Sequence, residues 1–116
     1  MSKLPVLKRN NEFRRVYAKG RYAVSTSLVM HILPNRSDKT RIGITTGKKI
    51  GNSVVRNRMR RLIRENIRLL FAELNQGIDL IVVVRHANPD ADLHSIGKEI
   101  RYLVKKLEIL NKENES

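Results

Sequence analysis

Between Lys48 and Arg68 the chain carries eight basic side chains and one acid, Glu65. Lys48 and Lys49 precede Gly51-Asn52-Ser53, and Arg56, Arg58, Arg60, Arg61, Arg64 and Arg68 follow, with Asn57 among them. The chemistry open to such a set is recognition. A guanidinium is a planar fork of donors that matches phosphate oxygens and base edges two bonds at a time. The plain alternative is a solvated helix face, the usual fate of a charge run. Three features favour recognition. Acids are scarce, so the arginines repel one another instead of pairing at i, i+4. All six are arginine and none is lysine. The segment also enters its helix from a basic loop bounded by Gly47 and Gly51, where free backbone N–H groups favour an anion.

Residues suited to bond-making chemistry are sparse. The sequence has no cysteine, so no disulfide framework and no thiolate metal site. His31, His86 and His94 do not have zinc-ligand spacing, and His86 and His94 lack an acid–base partner nearby in sequence. Asp90 and Asp92 could be imagined on magnesium, but Asn88-Pro89-Asp90 is turn chemistry and Asp92 suits a helix cap. No Gly-x-Ser-x-Gly elbow occurs. A protein active site is not expected.

Net charge is +13 over 116 residues, and it is unevenly placed. Residues 1–68 hold 18 Lys and Arg against three acids, a surplus of 15, whereas residues 69–116 hold six against eight. A one-sided field of that size points to a polyanion, since each phosphate neutralised releases condensed counterions. The same crowding opposes the compact state unless an anion is present. The N-terminal stretch has no apolar run of signal-peptide length, and nowhere do 18 apolar residues follow one another. A cytoplasmic protein without membrane attachment is expected.

The elements that must position these residues are legible in the periodicity. Asn10 to Lys19 reads as a short helix, capped by Asn10 or Asn11, with Glu12 at its positive end and Gly20 to stop it. Phe13, Val16 and Tyr17 share one side of it. Tyr22 to Leu33 alternates, placing Leu28, Met30 and Ile32 on one face and Val29, His31 and Leu33 on the other. Residues 34–38 form a turn, and Arg41 to Thr46 reads as a strand returning antiparallel to the first. A long helix begins at Asn52 or Ser53 and is expected to run to about Asn75, with Gly77 as its stop. At about 100° per residue, Val55, Met59, Leu62, Ile63, Ile67, Leu70 and Leu74 fall on one arc. Asn57, Arg60, Arg61, Arg64 and Arg68 fall opposite. Ile78 to Val84 is a near-continuous branched apolar run, a strand buried on both faces. A last helix, capped by Asp92 or Ser95, carries Leu93, Ile96, Ile100, Leu103, Leu107 and Leu110. The expected fold is one α+β domain over residues 1–116, an α/β sandwich in the order α-β-β-α-β-α with a small mixed sheet, frayed over 110–116. The long helix joins two strands as a β-α-β crossover, normally right-handed.

Nothing here has the form of a helix-turn-helix, a zipper or a zinc finger for double-stranded DNA. On RNA, whose deep groove excludes a helix, the arginines would read shape and phosphate. The string Lys48-Lys49-Ile50-Gly51-Asn52, then Val55 and Arg56-Asn57-Arg58-Met59-Arg60-Arg61-Leu62-Ile63-Arg64, closely resembles the signature of the bacterial ribonuclease P protein component. Leu7-Lys8-Arg9, Phe13, Tyr17 and Gly20 resemble that family's first helix.

The resemblance implies a small subunit that binds a catalytic RNA and the single-stranded 5′ leader of precursor tRNA. It would assist endonucleolytic removal of the leader and broaden the ribozyme's substrate range. The RNA subunit would supply the catalytic groups and hold the Mg²⁺; the protein would bind no cofactor. One protein per RNA is expected, and the family's crossover is left-handed. Carried over by position, Lys48, Lys49, Asn52, Arg56, Asn57, Arg58, Arg60, Arg61 and Arg64 would contact the RNA. Arg60 stands where lysine is common. Phe13 and Tyr17, with Arg9, would line the leader cleft, although the residues alone favour core packing for Phe13. His31 occupies a strand position where the family commonly has an aromatic, and is kept as a leader contact. The rival readings are a general RNA-binding protein, a membrane-surface protein and a protein-only nuclease.

Overall fold

The computed structural model describes residues 4–111. In chain order the elements are α1 (Asn10–Lys19), β1 (Arg21–Val24), β2 (Leu28–Pro34), β3 (Arg41–Thr46), α2 (Ser53–Leu70), β4 (Ile78–Val84) and α3 (Leu93–Lys106). Single 3₁₀ turns at Lys48–Ile50 and Phe71–Glu73 flank α2.

The four strands form one mixed sheet in the order β1-β2-β4-β3. This corrects the expected strand arrangement in two ways. The segment from Tyr22 to Leu33 is two antiparallel strands, not one, because it folds back at residues 25–27 with Tyr22 opposite His31 and Ala23 opposite Met30. The Ser25 N–H bonds the Leu28 carbonyl to close that turn. And β3 does not form a hairpin with β2. Strand β4 inserts between them, antiparallel to β2 and parallel to β3, with Gly43 opposite Ile81. Parallel pairing of β3 with β4 is what a long helical crossover permits and a short turn forbids. The near-continuous apolar run of β4 thereby has a cause: it is an inner strand, covered on both faces.

One sheet face is the main core. Leu28, Met30, Ile32, Ile42, Leu80 and Val82 pack against Met59, Ile63 and Ile67 of α2 and Ile96, Ile100 and Leu103 of α3, all at most 3% exposed. Helix α2 lies over β3 and α3 reaches β1. The other face carries a much smaller cluster, Leu7, Val16 and Ile81, with Phe13, Leu33 and Val83 half-buried around it. It is roofed by α1.

Several helix ends differ from expectation for local reasons. The residue preceding α1 is Arg9, not an asparagine, and the cap is made from inside: a Glu12 carboxylate oxygen accepts the backbone N–H groups of Lys8 and Arg9 at 3.2 and 3.0 Å. Helix α2 ends at Leu70 rather than near Asn75; its last turn tightens to 3₁₀, and Leu74 is already extended and bridged to Leu110. Helix α3 starts as expected, with Asp92 Oδ1 accepting the Ser95 N–H and Ser95 Oγ accepting the Asp92 N–H. It ends at Lys106, so Leu110 is not a helical residue. Past α3 the chain is tied back to the segment after α2, Leu110 bridging Leu74. Ile109 is buried, and the Asn111 N–H bonds the Glu73 carbonyl. Residues 112–116 lie outside the described residues.

Candidate functional site

Helix α2 starts where Asn52 Oδ1 accepts the Val55 N–H at 3.0 Å. Asn52 therefore serves first as the cap. Gly51 before it has φ 150°, a conformation open to glycine, which turns the Lys48–Ile50 loop into the helix. Ile50 is buried and pins the loop, while Lys48 and Lys49 stay exposed. The first-turn N–H groups and this pair of lysines give the end a concentrated positive potential.

Along α2 the buried residues are Met59, Ile63, Asn66, Ile67 and Leu70. Asn57, Arg61, Arg64 and Arg68 form the exposed stripe opposite, with Arg58 beside it. Arg56 and Arg60 are half-buried on the other flank, so the basic surface wraps round the helix rather than keeping to one arc. Val55, expected in the core, is exposed at the helix start. Arg60 is steadied by Asn57, whose Oδ1 accepts its Nη1–H at 2.9 Å. Arg68 is paired with Glu65, contrary to the expectation of unrelieved repulsion, and the pair holds the Glu65 carboxyl below its ordinary range. Among the described residues Arg56, Arg58, Arg61 and Arg64 have no acid within ion-pair distance. Arg60 has none either, its bond being to the neutral Asn57 amide, so five guanidiniums on this helix keep their charge unneutralised.

The second set of candidates lies on the α1 side of the sheet. Phe13 lies over Gly43, where an added Cβ would come within 2.8 Å of its ring; the missing side chain makes room for the aromatic. Phe13 packs with the Leu7–Val16–Ile81 cluster, so its ring is at once core and groove wall. The groove, about 460 Å³, is lined by Leu4, Val6, Leu7, Phe13, Ile42, Gly43, Ile44, Arg64 and Arg68. It brings Phe13 and Arg64, 51 residues apart in sequence, to one depression at the β3 edge. Arg9 is exposed at the start of α1. Tyr17 is 41% exposed and stands edge-on to His31, with ring centroids 4.8 Å apart. Burial lowers the His31 pKa, favouring the neutral ring.

Helix α1 is held to the sheet by a network the sequence reading missed. Arg41 Nε and Nη2 donate to the two oxygens of Asp79, each at 2.8 Å, and Arg41 Nη1 donates to Glu12 of α1. Asp79 is 3% exposed and also accepts from the Asn35 side-chain amide. The signal was present: one acid inside the apolar run Ile78-Asp79-Leu80 needs a cation partner. Asp90 sits in its turn with its N–H donated to Asn88 Oδ1, and Asp92 is the α3 cap. Among the described residues no three His, Asp or Glu side chains come together to hold a metal ion.

The fold and site together define a small basic α+β protein with a run of six arginines along one helix. The sequence matches the family Ribonuclease P over residues 1–108. It is 43% identical to the ribonuclease P protein component of Caldanaerobacter subterraneus subsp. tengcongensis over 104 residues, covering 90% of each chain. It is 40% identical to that of Natranaerobius thermophilus over 97% of each. The fold matches the Staphylococcus aureus RNase P protein with a TM-score of 0.84, 31% identity, and coverage of 94% of this chain and all of that one. The chain belongs to the ribonuclease P protein family. As a protein subunit of ribonuclease P, it works within a ribonucleoprotein endoribonuclease of tRNA 5′ processing, with the ribonuclease P RNA as partner. No helix among the described residues is long and apolar enough to cross a membrane.

Proposed function

We propose that helix α2 seats the ribonuclease P RNA and that the α1 face of the sheet holds the 5′ leader of precursor tRNA. The observation that carries the first half is the set of unpaired, solvent-facing guanidiniums at Arg58, Arg61 and Arg64, continued by Lys48 and Lys49. On an RNA surface these read phosphate and shape. The second half rests on the rings of Phe13, Tyr17 and His31, with Arg9 at the start of the same helix, since aromatic faces stack bases of any sequence. Asn52, Asn57 and Arg60 support the RNA seat as cap and as a mutually braced pair.

In this reading bond cleavage belongs to the RNA, which holds the catalytic magnesium ions. The protein lowers the repulsion between two polyanions and adds affinity for leader-bearing substrate over mature tRNA, which broadens the substrates the RNA can use. One protein acts per RNA, in the cytoplasm.

Reconstitution tests it. Added protein should tighten binding of labelled precursor tRNA more than of mature tRNA, and lower the magnesium needed for cleavage by ribonuclease P RNA. Equal tightening of both tRNAs would remove the leader from the account and leave a general RNA-binding subunit.

A further inference from the structure

Tyr22 is placed by strand register, not by any motif. It is the cross-strand partner of His31, and their rings lie 5.6 Å apart, tilted by 33°. With Tyr17 edge-on to the same imidazole, His31 is the middle ring of three. The neighbours of Tyr22 point to the opposite sheet face: Ala23 belongs to the main core, and Arg21 Nη2 donates to the Leu107 carbonyl beyond α3. Tyr22 therefore stands on the α1 face. It is 64% exposed, too open for its ring to be explained as core.

The register sets these residues in a row across the sheet. Tyr22 on β1, His31 on β2, Ile81 on β4 and Gly43 on β3 are successive partners, and Phe13 covers Gly43. Three strand spacings make that row about 14 Å long. Its β3 end adjoins Arg64 in the groove and its β1 end is Tyr22. We infer that Tyr22 is a further leader-binding residue, taking the base most distant from the cleavage site in the single-stranded RNA that crosses this face. The inference rests on the leader reading above. Its polarity follows from α2: the end of the row beside the RNA-binding helix lies nearest the catalytic RNA, and Tyr22 lies farthest from it. The two outer rings also supply stacking area that His31, smaller than a phenol or phenyl ring, lacks.

The test is a series of precursor tRNAs whose leaders lengthen one nucleotide at a time, bound to holoenzyme reconstituted with wild-type, Tyr22→Ala, Tyr22→Phe or Tyr17→Ala protein. Tyr22→Ala should bind short-leader precursors and mature tRNA like the wild type. Beyond a threshold leader length it should lose about fivefold or more in affinity, the scale of one base–aromatic stack. Tyr22→Phe should restore it, and Tyr17→Ala should show its loss at a shorter leader. If Tyr17→Ala loses affinity and Tyr22→Ala does not, the Tyr22 assignment falls while the leader reading stands. If Tyr22→Ala weakens mature tRNA equally, its effect is structural and the assignment falls. If no variant discriminates any precursor from mature tRNA, the leader reading fails and the inference with it.

Discussion

Arg41 grips Asp79 with both arms of its guanidinium, each bond 2.8 Å, and reaches Glu12 on α1 with the nitrogen left over. One side chain thereby neutralises a buried strand carboxylate and ties the overlying helix to the sheet. Replacing it by methionine would leave Asp79 buried with only the Asn35 amide as partner. Arg41→Met should destabilise the fold by about 3 kcal/mol or more, as breaking a buried pair does. A thermal melt should show a fall on the order of 10 °C.

The same network sets an acid limit. Backbone N–H groups of Arg9 and Lys8, then Arg41, hold the Glu12 pKa below its ordinary 4.5. A group with a depressed folded pKa contributes stability above its unfolded value and loses it as pH falls through the folded one. The midpoint of melting should be insensitive to Glu12 from neutral pH down to about 4.5 and decline below it. Glu12→Gln should be less stable than the wild type at pH 7, with that gap closing in acid. A gap that stayed constant would show that the charge does not matter.

Glutamine at Arg58, Arg61 and Arg64 should spare the fold, since all three are exposed and bear no acid partner. Binding to ribonuclease P RNA should weaken. If each contacts a phosphate, the slope of log affinity against log salt should shrink by roughly 0.7 to 0.9 per residue. Titrations at several salt concentrations measure this, and an unchanged slope for the triple variant would place the RNA elsewhere.

Gly43→Ala should disturb α1 from beneath. The new methyl would sit 2.8 Å from the Phe13 ring, which is packed against Leu7, Val16 and Ile81 and has little room to yield. Overpacking of this kind costs about 1–3 kcal/mol. Calorimetry should register the loss, and a double variant with Phe13→Leu should recover part of it.

Crowded guanidiniums also predict a response to anions. Arg56, Arg58, Arg61 and Arg64 repel within one helix, and a bound anion relieves this while stabilising the folded state that holds it. Sulfate should raise the melting midpoint by several degrees over chloride at equal ionic strength, roughly 1 kcal/mol or more of linkage at this domain size. The triple variant should show a smaller rise.

What could be read from the sequence was local. The span of α1, the Asn52 and Asp92 caps, the two faces of β2 and the burial of β4 all follow from spacing within one element. What could not be read was non-local. Alternation shows which way Met30 and His31 face, but not that β4 comes between β2 and β3. Nor does it show that the alternating stretch from Tyr22 folds back on itself. The site divides the same way. The arginine helix was visible as a motif, whereas the Arg41–Asp79 pair spans 38 residues and the Tyr22–His31 contact exists only once the register is known.

The two sheet faces are unequal. More than twenty buried side chains join α2 and α3 to one, while three buried residues and an ionic tie hold α1 to the other. Opening free energies in a protein scale with what each unit buries. Helix α1 should therefore detach and redock as a unit while the rest stays intact, with faster amide exchange than α2. If the α1 face holds the leader and α2 seats the catalytic RNA, as proposed, the substrate-reading layer would be the compliant part and the seat the rigid one, a division that would let leaders of differing sequence be accommodated without loosening the protein from its ribozyme.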